Sequence, residues 1–146
     1  MNNARINYYE AAPDAMKAMI GLEKAASQSV LPAALRELVR IRASQINGCA
    51  YCIDLHTSDA IKAGETPRRL MAITAWKETP FFDARERAAL LWTETLTLVA
   101  QRQAPDDIYE EVAAQFDEQE LSELTFVIAA INAWNRFGVG FAMQPK

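Results

Sequence analysis

Two cysteines and one histidine are the residues of this sequence best suited to chemistry. Cys49, Cys52 and His56 are its only thiols and its only imidazole, and all three fall in the segment ELVRIRASQINGCAYCIDLH, residues 37–56. Thiols three apart, with an imidazole four beyond the second, share one face of a helix, because residues three and four apart are neighbours there. Such a pair can oxidise and reduce without refolding, since a disulfide needs its Cα atoms roughly 4.4–6.8 Å apart and an i,i+3 helical pair meets that range. In a reducing compartment a lone C-x-x-C points to redox, catalytic or metal chemistry before a structural staple.

Two physical rules disagree on which sulfur attacks. A helix start stabilises a thiolate through the macrodipole, which favours Cys49. His56, however, is one turn from Cys52 and about 10 Å along the axis from Cys49. An adjacent base both removes the thiol proton and pairs with the thiolate, so Cys52 is assigned as the nucleophile and Cys49 as the resolving thiol. Glu37 enters through a hairpin. If the helices on either side of Asn47-Gly48 fold back antiparallel, Glu37 and His56 fall at heights differing by roughly 3 Å, and the carboxylate can orient the imidazole.

The elements that must hold these groups are helical. After Pro13 the apolar positions Met16, Met19 and Ile20 follow a 3.6 period; the dozen residues before it carry few periodic signals and are expected to wrap onto a neighbouring surface or stay mobile. Pro32 is expected as a first-turn proline of a helix through Leu35, Leu38, Val39 and Ile46, stopped by Gly48. From Cys49 a second helix runs to Ala63, and Gly64 closes it. Thr66-Pro67 opens a short helix carrying Leu70, Met71, Ile73 and Trp76. Asp83 with Glu86, and Asp117 with Glu120, have capping-box spacing ahead of two apolar helices, the first including Leu98 and the second reaching Trp134 before Gly138 and Gly140 loosen its end. Between them, a shorter amphipathic helix after Pro105 carries Ile108, Val112 and Phe116. The helix after Asp117 is apolar on more than one face, which suits a central or subunit-interface position. Trp76, Trp92, Trp134, Phe81, Phe82, Phe126 and Phe137 read as core or interface packing. Asn132, Asn135 and Arg136 read as polar groups satisfying a subunit contact. No period-two alternation bounded by hairpin turns appears, so the expected fold is all-α, with a central hairpin carrying C-x-x-C-x-x-x-H.

At 146 residues and 51% hydrophobic content the chain suits one domain, residues 1–146, with a core that needs no disulfide staples. A net charge of -4 and the absence of a basic run argue against nucleic acid or an anionic membrane as partner. With no signal-peptide pattern and no run of about eighteen apolar residues, the protein is expected to be soluble and cytoplasmic.

A glutamate twelve positions before C-x-x-C-x-x-x-H, with the tail INAWNRFGVGF at residues 131–141, resembles the alkylhydroperoxidase D-like branch of the carboxymuconolactone decarboxylase superfamily. The resemblance covers Glu37, Cys49, Cys52 and His56 and spans most of the chain. It implies an all-helical subunit assembling into homo-oligomers, trimers or hexamers, and a peroxidase whose second cysteine attacks the peroxide. Glu37 and His56 would relay a proton to Cys52, and an external dithiol or disulfide reductase would supply electrons. In the founding type a further histidine lies between the two cysteines; here Tyr51 stands in that place. No cofactor is expected and no metal. Zinc on Cys49, Cys52, His56 and Glu37 is the sharper rival, although structural zinc favours more thiolates. A c-type haem needs histidine where Ile53 stands, and a thioredoxin fold needs strands. A carboxymuconolactone decarboxylase-type lyase and a non-catalytic oligomeric redox sensor are the alternative functions.

Overall fold

One helix, Ala33–Asn47 (α3 below), has neighbours on most sides, and its sequence says why. Leu35, Leu38, Val39, Arg40, Ile41, Ala43 and Ser44 are all buried, so no single stripe faces the core. The computed structural model describes residues 5–146. Its helices, in chain order, are α1 (Tyr8–Ala11), α2 (Pro13–Ser27), α3 (Ala33–Asn47), α4 (Ala50–Lys62), α5 (Pro67–Ala72), α6 (Ala84–Thr97), α7 (Val99–Arg102), α8 (Asp106–Ala113) and α9 (Glu118–Gly140), with a 3-10 segment, Ile73–Glu78, after α5. Among the described residues there is no strand, and the fold is all-α. α3 packs against α4, α6 and α9. Leu38 and Ile41 of α3, Leu90 of α6, and Leu124 and Ile128 of α9 are fully buried where these helices meet, each contributing roughly 1.5–3 kcal/mol of apolar burial.

The turn that makes the hairpin is set by Gly48. It adopts φ 69° and ψ 32°, a left-handed conformation that costs other residues energy, and its N–H donates to the Gln45 carbonyl at 3.3 Å. The chain reverses within these residues, and Cys49 becomes the N-cap of α4. Both capping boxes form as expected. Asp83 accepts from the Glu86 N–H at 2.8 Å and Asp117 from the Glu120 N–H at 2.8 Å, and each glutamate side chain bonds back to the cap N–H. Each cap is worth about 1 kcal/mol and fixes where α6 and α9 start.

The structure departs from the sequence expectations at several places. Pro32 is the N-cap of α3, with φ -55° and ψ 141°, and not a first-turn residue; its carbonyl accepts from Arg36 N. The helix after Pro67 ends at Ala72, and Ile73 and Trp76 lie on the 3-10 segment, where Ala75 leaves helical geometry (φ -124°, ψ 35°). Leu98 is the C-cap of α6 and lies outside it. α9 runs through Gly138 to Gly140 without loosening, because Gly138 is packed against other groups. The first dozen residues, by contrast, follow one of their two expectations: 1–4 lie outside those described, and α1 wraps onto the end of α9, where Tyr8 stacks on Phe137 and Phe141 and the Arg5 N–H donates to the Phe141 carbonyl at 2.9 Å. Among the described residues no helix is long and apolar enough to cross a membrane.

Candidate functional site

The α3–α4 hairpin brings Glu37, Cys49, Cys52 and His56 to one end of the molecule. The structure pairs the two cysteine sulfurs, with Cα atoms 5.3 Å apart. Cys49 caps α4, and the Cys52 N–H donates to its Sγ at 3.3 Å. Both sulfurs sit in a small apolar cluster of Ala43, Cys49, Cys52 and Ile131, apart from the main core.

Across the hairpin, Nδ1 of His56 lies 2.9 Å from Oε2 of Glu37. A carboxylate only accepts, so Nδ1 carries the proton and Nε2 of the neutral ring is left as the base. Glu37 is held in turn: Nη1 of Arg40 donates to its other oxygen at 2.7 Å. Nη2 of Arg40 donates to Glu23 of α2 and to Ser27, each at 2.9 Å. Nε1 of Trp134 on α9 completes the chain with a hydrogen bond to Glu23 at 3.0 Å. Burial alone would push the Glu37 carboxyl up, but the hydrogen bond and charge of His56, together with Arg40, outweigh it and hold the group below its ordinary range.

A cavity of about 190 Å³ opens over this arrangement, lined by Cys52, His56, Glu23, Trp134, Gly138 and a ring of Tyr8, Tyr9, Tyr51 and Leu55. Cys52 is on the wall; Cys49 is not. His56 and Cys52 both line this space, with no hydrogen bond between them. Burial, then the neighbouring Tyr9 and Tyr51, pushes the Tyr8 phenol up to about 12, so it stays protonated. A larger groove of about 790 Å³, over Trp92, Tyr109, Phe116 and Phe126, is open and has no thiol or imidazole in its wall. Among the described residues no group of three or more His, Cys, Asp or Glu is placed to hold a metal ion.

Residues 13–95 match the carboxymuconolactone decarboxylase family. The chain belongs to that family. It falls in the alkylhydroperoxidase D-like branch, as the sequence resemblance implied. It is 45% identical over 135 residues to the uncharacterized protein YdfG of Bacillus subtilis (strain 168), covering 92% of each chain. The crystal structure of a protein of unknown function from Agrobacterium tumefaciens, described as a candidate antioxidant defence protein AhpD, superposes with a TM-score of 0.94 at 39% identity and covers 98% of each chain. The debrominase Bmp8 shares the fold, with a TM-score of 0.84 at 22% identity over 94% of this chain and 74% of its own. Within the family match lie Glu23, Glu37, Arg40 and the C-x-x-C-x-x-x-H motif. Tyr8, Tyr9, Trp134 and Gly138, the other half of the cavity, lie outside it.

Sequence reasoning missed several of these residues. Arg40 had a signal, since an arginine three after a glutamate on a helix is an ion-pair spacing. Glu23 and the tyrosines of α1 had none. Trp134, expected to be packing, lines the cavity. Gly138 is the closest backbone approach of all: a Cβ there would lie 2.5 Å from the Cys49 sulfur and 3.4 Å from that of Cys52. Asn132 and Asn135, expected to satisfy buried groups, bond within the chain. Asn47 donates to Asn132 and Asn135 at 2.9 Å each, and Asn135 donates to Ser44, tying α9 behind the cysteine turn.

Proposed function

We propose that the protein is a thiol-dependent peroxidase that reduces organic or hydrogen peroxide in the cytoplasm. The observation that carries this reading is a cavity with Cys52 on its wall beside an imidazole already aligned by a buried carboxylate. Nε2 of His56 takes the Cys52 thiol proton, through a bridging water, and Glu37 stabilises the imidazolium that forms. The thiolate attacks the terminal peroxide oxygen. The O–O bond breaks, a Cys52–SOH sulfenic acid forms, and the alkoxide leaves with the proton from His56 as the alcohol. Cys49, held next to it, then attacks the sulfenic sulfur; the disulfide forms and water leaves. An external dithiol or disulfide reductase supplies two electrons and resets the pair. Neither a metal nor a cofactor takes part in these steps.

The reading extends to association into trimers or hexamers, supported by exposed Ile20, Val30 and Phe126 on the outer face. A lyase of the founding carboxymuconolactone type makes no use of a sulfur on the cavity wall, and a sensor makes no use of a base beside it. Stopped-flow mixing of the reduced protein with one equivalent of an organic hydroperoxide tests the proposal. It should consume the peroxide and two thiols per chain; an unchanged thiol count contradicts it.

A further inference from the structure

Arg40 is buried between two carboxylates, and the way its nitrogens are divided decides what is left for His56. Its side chain is 7% exposed. Nη1 donates to Oε1 of Glu37 at 2.7 Å, while Nη2 is turned to Oε1 of Glu23 and to Oγ of Ser27, each at 2.9 Å. Oε2 of Glu37 is thereby left for Nδ1 of His56 at 2.9 Å. A guanidinium and a carboxylate alone would pair differently. The planar fork of arginine matches both oxygens of one carboxylate, and the two-bond pair is the stronger one. Glu37 and Arg40 are three apart on α3 and so are neighbours there, which puts that pairing within reach. The groups that oppose it come from another helix. Glu23 and Ser27 are four apart on α2, joined by a hydrogen bond from Oγ of Ser27 to Oε1 of Glu23 at 3.2 Å, and both accept from Nη2. Glu23 is itself anchored, because its Oε2 accepts from Nε1 of Trp134 on α9. Arg36, one turn before Arg40, is turned instead to the Ser29 and Leu31 carbonyls.

We propose that Glu23 is a positioning residue for the thiol chemistry: it holds Arg40 to a single bond on Glu37 and so reserves the other carboxylate oxygen for His56. The proposal rests on the peroxidase reading for what the imidazole does, but the positioning itself needs no peroxide. With Glu23 removed, Nη2 turns to Oε2 of Glu37, the two-bond ion pair forms, and Nδ1 of His56 loses its acceptor. The ring then carries its proton on either nitrogen, and Nε2 is no longer fixed as the base. α2 holds no residue of the C-x-x-C-x-x-x-H motif, yet it sets the geometry of a pair on α3 and α4.

The chain has one histidine, so its imidazole is read without ambiguity. In tag-free protein, long-range proton–nitrogen NMR should show the wild-type ring as the Nδ1–H tautomer, with a downfield, hydrogen-bonded Nδ1 proton. Glu23→Ala should lose that signal. In the Cys49→Ser background it should also slow the reaction of Cys52 with an organic hydroperoxide and with iodoacetamide, each about tenfold. Arg40→Lys separates positioning from any loss of wall structure, because an ammonium lacks the planar fork that matches both oxygens of Glu37. In that background the effect of Glu23→Ala should shrink from about tenfold to about twofold, with the Nδ1 proton retained. Glu23→Gln, which keeps the shape of the side chain and loses its charge, carries the same arms with a smaller loss. A wild-type Nδ1 proton or unchanged alkylation in the Glu23 variants, or a tenfold loss that persists in Arg40→Lys, overturns the proposal. Failure of the peroxidase reading shows separately, as a thiol that iodoacetamide alkylates and the hydroperoxide leaves untouched.

Discussion

Glu37 and Glu94 are both buried carboxylates held by arginine, with side chains 13% and 7% exposed, yet they do different work. Glu94 accepts from Nε1 of Trp76 at 2.8 Å and lies 3.6 Å from Arg42 and 3.9 Å from Arg102. Every partner is an N–H donor with no acceptor atom in its polar group, so the cluster is a fixed tie between α3, α6, α7 and the 3-10 segment. Glu37 has one such partner, Arg40, and one that is not fixed. This is His56, whose imidazole can both donate and accept a hydrogen bond, and it lines the cavity wall. The two carboxylates differ in that one partner.

The largest contrast is expected from removing each carboxylate. Glu94→Ala leaves the buried Trp76 N–H without its acceptor and Arg42 with Gln45 alone, and should cost about 3–5 kcal/mol, read as a lower melting temperature, with peroxide turnover per folded molecule retained. Glu37→Gln should do the opposite. Arg40 keeps Glu23, so the stability lost is smaller than in Glu94→Ala, while the rate of peroxide reduction falls about a hundredfold. Equal activity losses in both variants would erase the distinction. Next in size is Gly138→Ala, which must push the α9 backbone from the sulfurs. Denaturant unfolding should show about 1–3 kcal/mol lost, together with slower disulfide formation.

The pH dependence of stability separates the clusters more finely. The folded Glu37 carboxyl is depressed below its ordinary 4.5, so its stabilising contribution is present above that value and is lost as pH falls through the folded value. Acid denaturation of Glu37→Gln should lack this increment. The smallest effect is at the cavity rim. Tyr8, raised from 10.0 to about 12, contributes stability that is full below pH 10 and is lost as pH rises toward 12. Ultraviolet titration should show one late phenol in the wild type and none in Tyr8→Phe.

The legible part of this molecule is the part written in short spacings. Gly48 after an apolar periodic run, Asp three before Glu, and C-x-x-C-x-x-x-H are patterns of three to four residues, and they were enough for the hairpin, both capping boxes and the reach from Glu37 to His56. The all-helical class followed from the same period. What stayed hidden depends on contacts between distant segments. Tyr8 meets Phe137 and Phe141 across the whole chain, and no local pattern reports it. Gly138 read as a helix end because glycine usually weakens helices, whereas its missing Cβ is what lets α9 close over Cys49. Trp134 looks like any core aromatic until Glu23 is found beneath its N–H. The motif shows one wall of the cavity, and packing supplies the other.

The most direct test follows the reaction of a single thiol. In Cys49→Ser protein the rate of Cys52 sulfenic acid formation with an organic hydroperoxide, trapped with dimedone, is measured from pH 5 to 9, with and without Glu37→Gln. The account predicts a fast reaction that falls about a hundredfold when Glu37 is replaced by Gln. A rate indifferent to Glu37, or sulfenic acid forming equally well on Cys49 in Cys52→Ser, would contradict it.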